Sequence, residues 1–207
     1  MSLPEWDASS LAVGTNAVFR FTVAASSNEG DDVSWKKIQL KVTMAGATMS
    51  AVATVGNDPG VAGAGNLQIR DLSSNTSLDI ATAFSGSVTT STGTSTITGG
   101  NSGFVTIILN AEQTIVAGAS KDYEISLTFA NLTTGAGNSS AALLLNLQET
   151  SKSSATTFSG IETGTIDGEP SFIWSDGSAS QHSETTSDWA NGFRVKVLPS
   201  TSKTVSN

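Results

Sequence analysis

The sequence predicts an all-β protein: an antiparallel β-sandwich of Ig-like or jelly-roll-like type, with roughly ten strands. Three observations carry this. Apolar and polar residues alternate with a period of two in several separate stretches, as in strands half buried on a core. The segments between them are rich in Ser, Thr, Gly and Asn, which favour turns. No segment sustains the 3.6-residue period of an amphipathic helix.

Residues 17–23 place Phe19, Phe21 and Val23 on one face and Arg20 and Thr22 on the other. Residues 26–32 follow as a turn. Residues 35–44 repeat the alternation at greater length: Ile38, Leu40, Val42 and Met44 point to the core, and Lys37, Gln39, Lys41 and Thr43 to solvent. A slip of one residue would bury the lysines instead, so this register should be firm. Residues 48–55 and 67–72 are weaker strands, separated by a Gly/Ala-rich loop containing Asn57-Asp58-Pro59-Gly60. Residues 77–83 and 86–98 are rich in β-branched side chains and read as an edge hairpin or flap. Residues 104–109 are apolar on both faces, as in a central strand. Residues 115–121 read as a short strand and turn. Residues 123–129 alternate cleanly, with Tyr123, Ile125, Leu127 and Phe129 inward. Leu143, Leu145 and Leu147 share one face of the next strand, and residues 172–174 form a short one. Phe193, Val195 and Val197 alternate with Arg194 and Lys196 in a last strand that Pro199 ends. The expected organisation is an N-terminal extension (1–16), a single domain (17–199) and a polar tail or linker (200–207).

A chain of 207 residues suits one large all-β domain, big enough to bury a core without disulfides. The net charge of −8 offers no basic stripe to displace phosphate counterions, which excludes nucleic acid as a partner. The cluster Lys36, Lys37 and Lys41 reads as the solvated side of a strand. No stretch approaches the roughly 18 apolar residues of a membrane span. The opening Met1-Ser2-Leu3-Pro4-Glu5-Trp6 is not a signal peptide. Low Lys with abundant Ser, Thr and Asn fits an exported prokaryotic protein, extracellular or at the cell surface.

The chain has no cysteine and a single histidine. That histidine sits in the densest polar and aromatic block, between Trp174-Ser175-Asp176 and Asp188-Trp189. A serine hydrolase would pair His182 with Ser180 or Ser183 and with Asp176 or Asp188, but no nucleophile elbow is present. His182 and its neighbouring acids read instead as ties that hold a long loop. Calcium is the most plausible metal, since oxygen donors are plentiful and thiolates absent, and Asp176 with Asp188 is the pair most suited to it. Asp31-Asp32, Asn57-Asp58 and Asp167-Gly168-Glu169 are further acidic loops, and Glu162, Asp167 and Glu169 do not rise to a glycosidase pair. An internal isopeptide bond would need a buried lysine, and the alternation puts Lys37 and Lys41 outside. The sequons at Asn75, Asn131 and Asn138 are of a kind that a Ser/Thr-rich chain produces by chance. Trp35, Trp174 and Trp189 read as core or loop anchors. Trp6, with Leu11, lies before the first clear strand and is the best place for a subunit contact.

The block Trp174-Ser175-Asp176, His182, Asp188-Trp189, Asn191-Gly192 and the exit Leu198-Pro199 resembles a segment of β-sandwich domains in large cell-surface proteins of candidate-phyla (Patescibacteria-type) bacteria. Val116-Ala117-Gly118-Ala119-Ser120-Lys121 resembles a turn of the same domains. The resemblance implies a sandwich and a surface location, and carries over no functional residues. Together these readings give a non-enzymatic extracellular module of a cell-surface, S-layer-like or filament-forming protein. It would act by scaffold and by contacts with neighbouring copies, with residues 3–13 adding to a neighbour's sheet as a donor strand. The alternative is a calcium- or carbohydrate-binding adhesin-type module with a glycan as partner.

Overall fold

A computed structural model describes residues 11–27, 30–45, 47–49, 67–87, 102–132, 142–146, 172–191, 195 and 203–206. Among them the chain is all-β, without a helix. The strands are β1 (Gly14–Ala24), β2 (Val33–Ala45), β3 (Ala47–Met49), β4 (Leu67–Asp71), β5 (Thr76–Ser77) and β6 (Ile80–Ser87). They continue with β7 (Ser102–Ile115), β8 (Ser120–Leu132), β9 (Ala142–Asn146), β10 (Phe172–Ser175), β11 (Trp189–Asn191) and β12 (Lys203–Ser206).

These strands form two antiparallel sheets. The first runs β1-β8-β4-β5, with β3 also on β8; the second runs β11-β10-β2-β7-β6, with β9 on β2 and β12 on β9. The long strand β2 is the axis of the second sheet. One edge pairs with β7 along most of its length, and the other pairs first with β10 and then with β9. The chain passes back and forth between sheets, so β1 pairs with β8 and β2 with β7.

The two sheets share one core, for the reason the alternation gave. Phe19, Phe21, Tyr123, Ile125, Leu127 and Ile69 from the first sheet are buried against Trp35, Ile38, Leu40, Val42, Ile107 and Leu109 from the second. Each such aliphatic side chain contributes roughly 1.5–3 kcal/mol when removed from water. Trp35 is the hinge of this packing. Its ring meets Phe21 edge-on at 5.5 Å, Tyr123 edge-on at 4.9 Å and Phe172 stacked at 5.7 Å. One indole thus touches β1 and β8 across the interface and β10 beside it.

A bulge makes that possible. Trp35 and Ile38 are an odd number of residues apart, yet both face the core. The register of β2 shifts between Trp35 and Lys37 against both neighbours: against β10 Lys36 is the extra residue, and against β7 it stands opposite the longer stretch 109–112. A bulge flips the facing of everything beyond it. A smaller shift between Ala17 and Phe19 lets both Val18 and Phe19 be buried on β1.

Several expectations need correcting. Lys37 and Gln39 lie on the outer face of β2 as the alternation required, but neither is in solvent. Lys37 is 0% exposed, Gln39 4% and Lys36 5%. The argument that Lys37 lies outside therefore fails. Residues 203–206, read as a polar tail, form β12 with Val205 at 1% exposure in the core. Leu11, assigned to a subunit contact, is buried in the chain's own core, and its amide donates to the Ser206 carbonyl at 3.0 Å. Of the expected strand 193–197, Val195 alone is described; it lies outside any strand and packs on the core. The turn before β8 is as read. Gly118 has φ +78°, where a side chain is strained, and a Cβ there would stand 3.3 Å from Ser27 Cβ.

The Tyr123 hydroxyl and the Trp35 indole N–H are both buried without a hydrogen bond of ordinary geometry. Burial, helped by the Asp71 carboxylate, pushes the Tyr123 hydroxyl up to about 12, although the neighbouring Trp35 N–H favours the phenolate. A group whose folded pKa is raised adds stability that is whole below its unfolded value and disappears as pH rises through the folded one. Stability should therefore fall between about pH 10 and about pH 12. Tyr123 is the single tyrosine, so phenolate absorbance reports it alone. It should titrate near pH 10 in denaturant and only near 12, or with unfolding, in the native protein. A native midpoint near 10 would place the hydroxyl in water.

Candidate functional site

The polar block singled out in the sequence folds as a loop, residues 176–188, between β10 and β11. Ser175 begins it. This fully buried hydroxyl accepts the Gly177 amide at 2.9 Å and donates to Asp188 Oδ2 at 2.8 Å, closing the two ends of the loop together. The Asp176 carboxylate accepts the Ser178 amide at 3.1 Å, an Asx turn, and Gly177 follows with φ +64°. In the middle, the Ser183 amide donates to Thr186 Oγ1, and the Thr186 hydroxyl and amide both donate to the Ser183 carbonyl. The Trp189 indole N–H adds a bond to that carbonyl at 2.9 Å.

The loop meets the outer face of the second sheet. Beside it Ile108, Ile173 and Trp189 form a small apolar cluster, separate from the main core, and the loop touches this cluster through Trp189. Lys37 lies on the same face, directly opposite Ile108 on β7 and Ile173 on β10. The Ser34 and Thr114 hydroxyls bond to each other at 3.1 Å, and Ser34 pairs with Ser175 in the ladder.

Two irregular strand positions reach up to hold the loop. The first is Lys36, the extra residue of the β2 bulge, whose ammonium forms an ion pair with Glu184. The second is Glu112. Where β2 has the single residue Lys36, β7 carries residues 109–112, so this stretch leaves the regular ladder. The Glu112 carboxylate there meets His182 Nε2 at 2.8 Å. The other ring nitrogen, Nδ1, meets Asp188 Oδ2 at 2.6 Å. His182 is thus held between carboxylates from two different parts of the chain, with Trp189 packed against its ring at 5.2 Å.

The electrostatics follow. Only an imidazolium donates from both nitrogens. Partial burial works against the charge on His182, but its bonds to Glu112 and Asp188 outweigh this and raise its pKa above 6.5. Burial likewise opposes the Asp188 anion, and the polar contacts of Thr186, Ser175 and His182 overcome it, holding the carboxyl at about 2. The set supplies no nucleophile–base pair. Ser183 Oγ lies 3.2 Å from Thr185 Oγ1, and each nitrogen of His182 engages a carboxylate. A catalytic serine needs one of those nitrogens as a base.

Among the described residues no group of three His, Asp or Glu is arranged to hold a metal. The imidazole separates Glu112 from Asp188, so the two carboxylates do not converge. Asp176 is exposed and turned to Ser178. Asp188 Oδ1 is the one oxygen of the pair that is buried without a hydrogen bond, whereas calcium takes six to eight oxygens. Trp6, Asn57, Asp58, Glu162, Asp167 and Glu169 lie outside the described residues. Asp32 accepts the Ala117 amide at 2.9 Å and so serves the turn before β8.

Glu112 and Lys36 were not legible as parts of this site. The only trace was the polar interruption Asn110-Ala111-Glu112-Gln113 between Leu109 and Ile115, which breaks the alternation where β7 leaves its ladder. No known protein family, curated protein or solved structure matches the chain.

Two expectations test the brace. Asp188→Asn should cost about 1–3 kcal/mol in urea unfolding, because it removes the charge that strengthens two buried hydrogen bonds and leaves an amide NH2 where Oδ1 is buried without a partner, whereas Glu184→Gln should cost under about 1 kcal/mol, since Glu184 is exposed. Equal costs would contradict the assignment of Asp188 as the inner anchor. On acidification, the contribution of Asp188, whose folded pKa is depressed, is whole above about 3.8 and is lost as pH falls toward about 2. Asp188→Asn should remove that part of the acid limb of a stability-versus-pH curve.

Proposed function

We propose that this chain is a structural β-sandwich module of a cell-surface, S-layer-like or filament-forming protein, located outside the cell and acting through contacts with neighbouring copies. One observation carries the non-enzymatic part: the lone histidine, the side chain best suited to acid–base work near neutrality, has both nitrogens committed to carboxylates in a brace. The two antiparallel sheets around one core support the sandwich. The nested pairing of β1 with β8 and β2 with β7 favours the jelly-roll variant over the Ig-like one, since it is the wrapping that two Greek keys produce. The resemblance of residues 174–199 to surface-protein domains supports the location.

With Leu11 in the chain's own core, the subunit contact narrows to residues 1–10, with Trp6 as its anchor. The experiment is to compare the full chain with a variant lacking residues 1–10, which leaves Leu11 in place, by sedimentation and electron microscopy at high concentration. The full chain should assemble and the shortened one remain monomeric but folded. A full chain that stays monomeric, or assemblies indifferent to the deletion, would overturn the reading.

A further inference from the structure

We propose that the Glu112–His182–Asp188 bridge is a pH-sensitive latch: it fastens the 176–188 loop over the second sheet while the imidazole carries both ring protons, and releases it when one is lost. The inference concerns regulation of this surface and holds wherever the protein resides.

The geometry makes the bridge depend on protonation. A neutral imidazole has one N–H and one lone pair. With carboxylates 2.8 Å and 2.6 Å from its two nitrogens, losing a proton turns one of those bonds into a repulsion between lone pairs. The side that gives way is set by burial. The Asp188 side chain is 3% exposed and also bonded to Ser175, whereas Glu112 is 37% exposed and can turn into water. The Nδ1 proton therefore stays on the Asp188 side, and the Nε2–Glu112 link opens. That link ties the loop to β7, whereas the Asp188 bond lies within the loop itself. Among the described residues, the charged groups bonded to the ring are Glu112 from β7 and Asp188 at the loop's end. The pair Lys36 of β2 with Glu184 still ties the loop to the sheet, and Lys37 is a further charge on the same sheet face.

The sign is fixed by the two anions, which raise the imidazole above its ordinary 6.5. The latch is closed below that raised value and opens as pH rises through it. Opening loosens the loop against Trp189, which packs with Ile108 and Ile173.

The single histidine allows a direct test. In the full chain, NMR titration of the His182 ring should show a midpoint above 6.5. The Trp189 indole N–H and the amides of residues 177–188 should shift with the same midpoint. Glu112→Gln, at a part-exposed position, should keep the fold and lower the His182 midpoint; each unit lost is a tenfold weakening of the bridge. His182→Gln should remove the step from the loop signals. A midpoint at or below 6.5, loop signals that ignore the titration, or no change in Glu112→Gln would each overturn the latch. So would a midpoint that moves on adding calcium or a chelator, because a cation rather than a proton would then join the carboxylates.

Discussion

The packing of Trp35 between the sheets rests on one extra residue in β2. In a regular strand Trp35 and Ile38 would face opposite sides, and either the indole or the run Ile38, Leu40, Val42 would lie outside the core. The bulge at Lys36 removes that conflict. It puts the indole against Phe21, Tyr123 and Phe172 while keeping the aliphatic run inward. A slip of one residue has no graded version in a strand, since every side chain beyond it changes face. The constraint is therefore all-or-none, and the aromatic cluster and the core of β2 stand or fall together.

The same residue connects the core to the site. Lys36 is carried outward by the bulge and meets Glu184, while the matching irregularity in β7 carries Glu112 to His182. Burying a lysine such as Lys37 on a sheet face costs several kcal/mol without compensation. On the same face Trp189, the first residue after the loop, packs with Ile108 and Ile173, and the loop adds a set of closed hydrogen bonds, so the outer face becomes a second, smaller interior. The loop is long and has little secondary structure, yet Ser175, Ser183 and Asp188 each satisfy more than one partner, which defines it.

Much of the fold was legible in the residues. Phe19, Phe21, Val23, Ile38, Leu40, Val42, Tyr123, Ile125 and Leu127 all lie where period-two alternation put them, because a half-buried strand leaves that pattern. The importance of the 174–189 block was legible too, as a concentration of Trp, Asp and the only His. The rest depends on pairings distant in the chain. Nothing near Lys36 announces that a loop over a hundred residues later will meet it. Val205, the single apolar residue buried in a polar stretch, is too little pattern to mark β12. The partner of His182 is on β7, seventy positions away, and bulges leave only a local break in alternation.

The bulge is best tested by proximity in solution, using proton–proton NOEs from the Trp35 indole and the Lys36 side chain. The account predicts NOEs from Trp35 to the rings of Phe21 and Tyr123, with those of Lys36 going to Glu184 and its loop. NOEs from the Trp35 indole to Ile108 and Ile173 would mean an unbulged β2 with its tryptophan on the outer face, and would contradict the arrangement of both the core and the site.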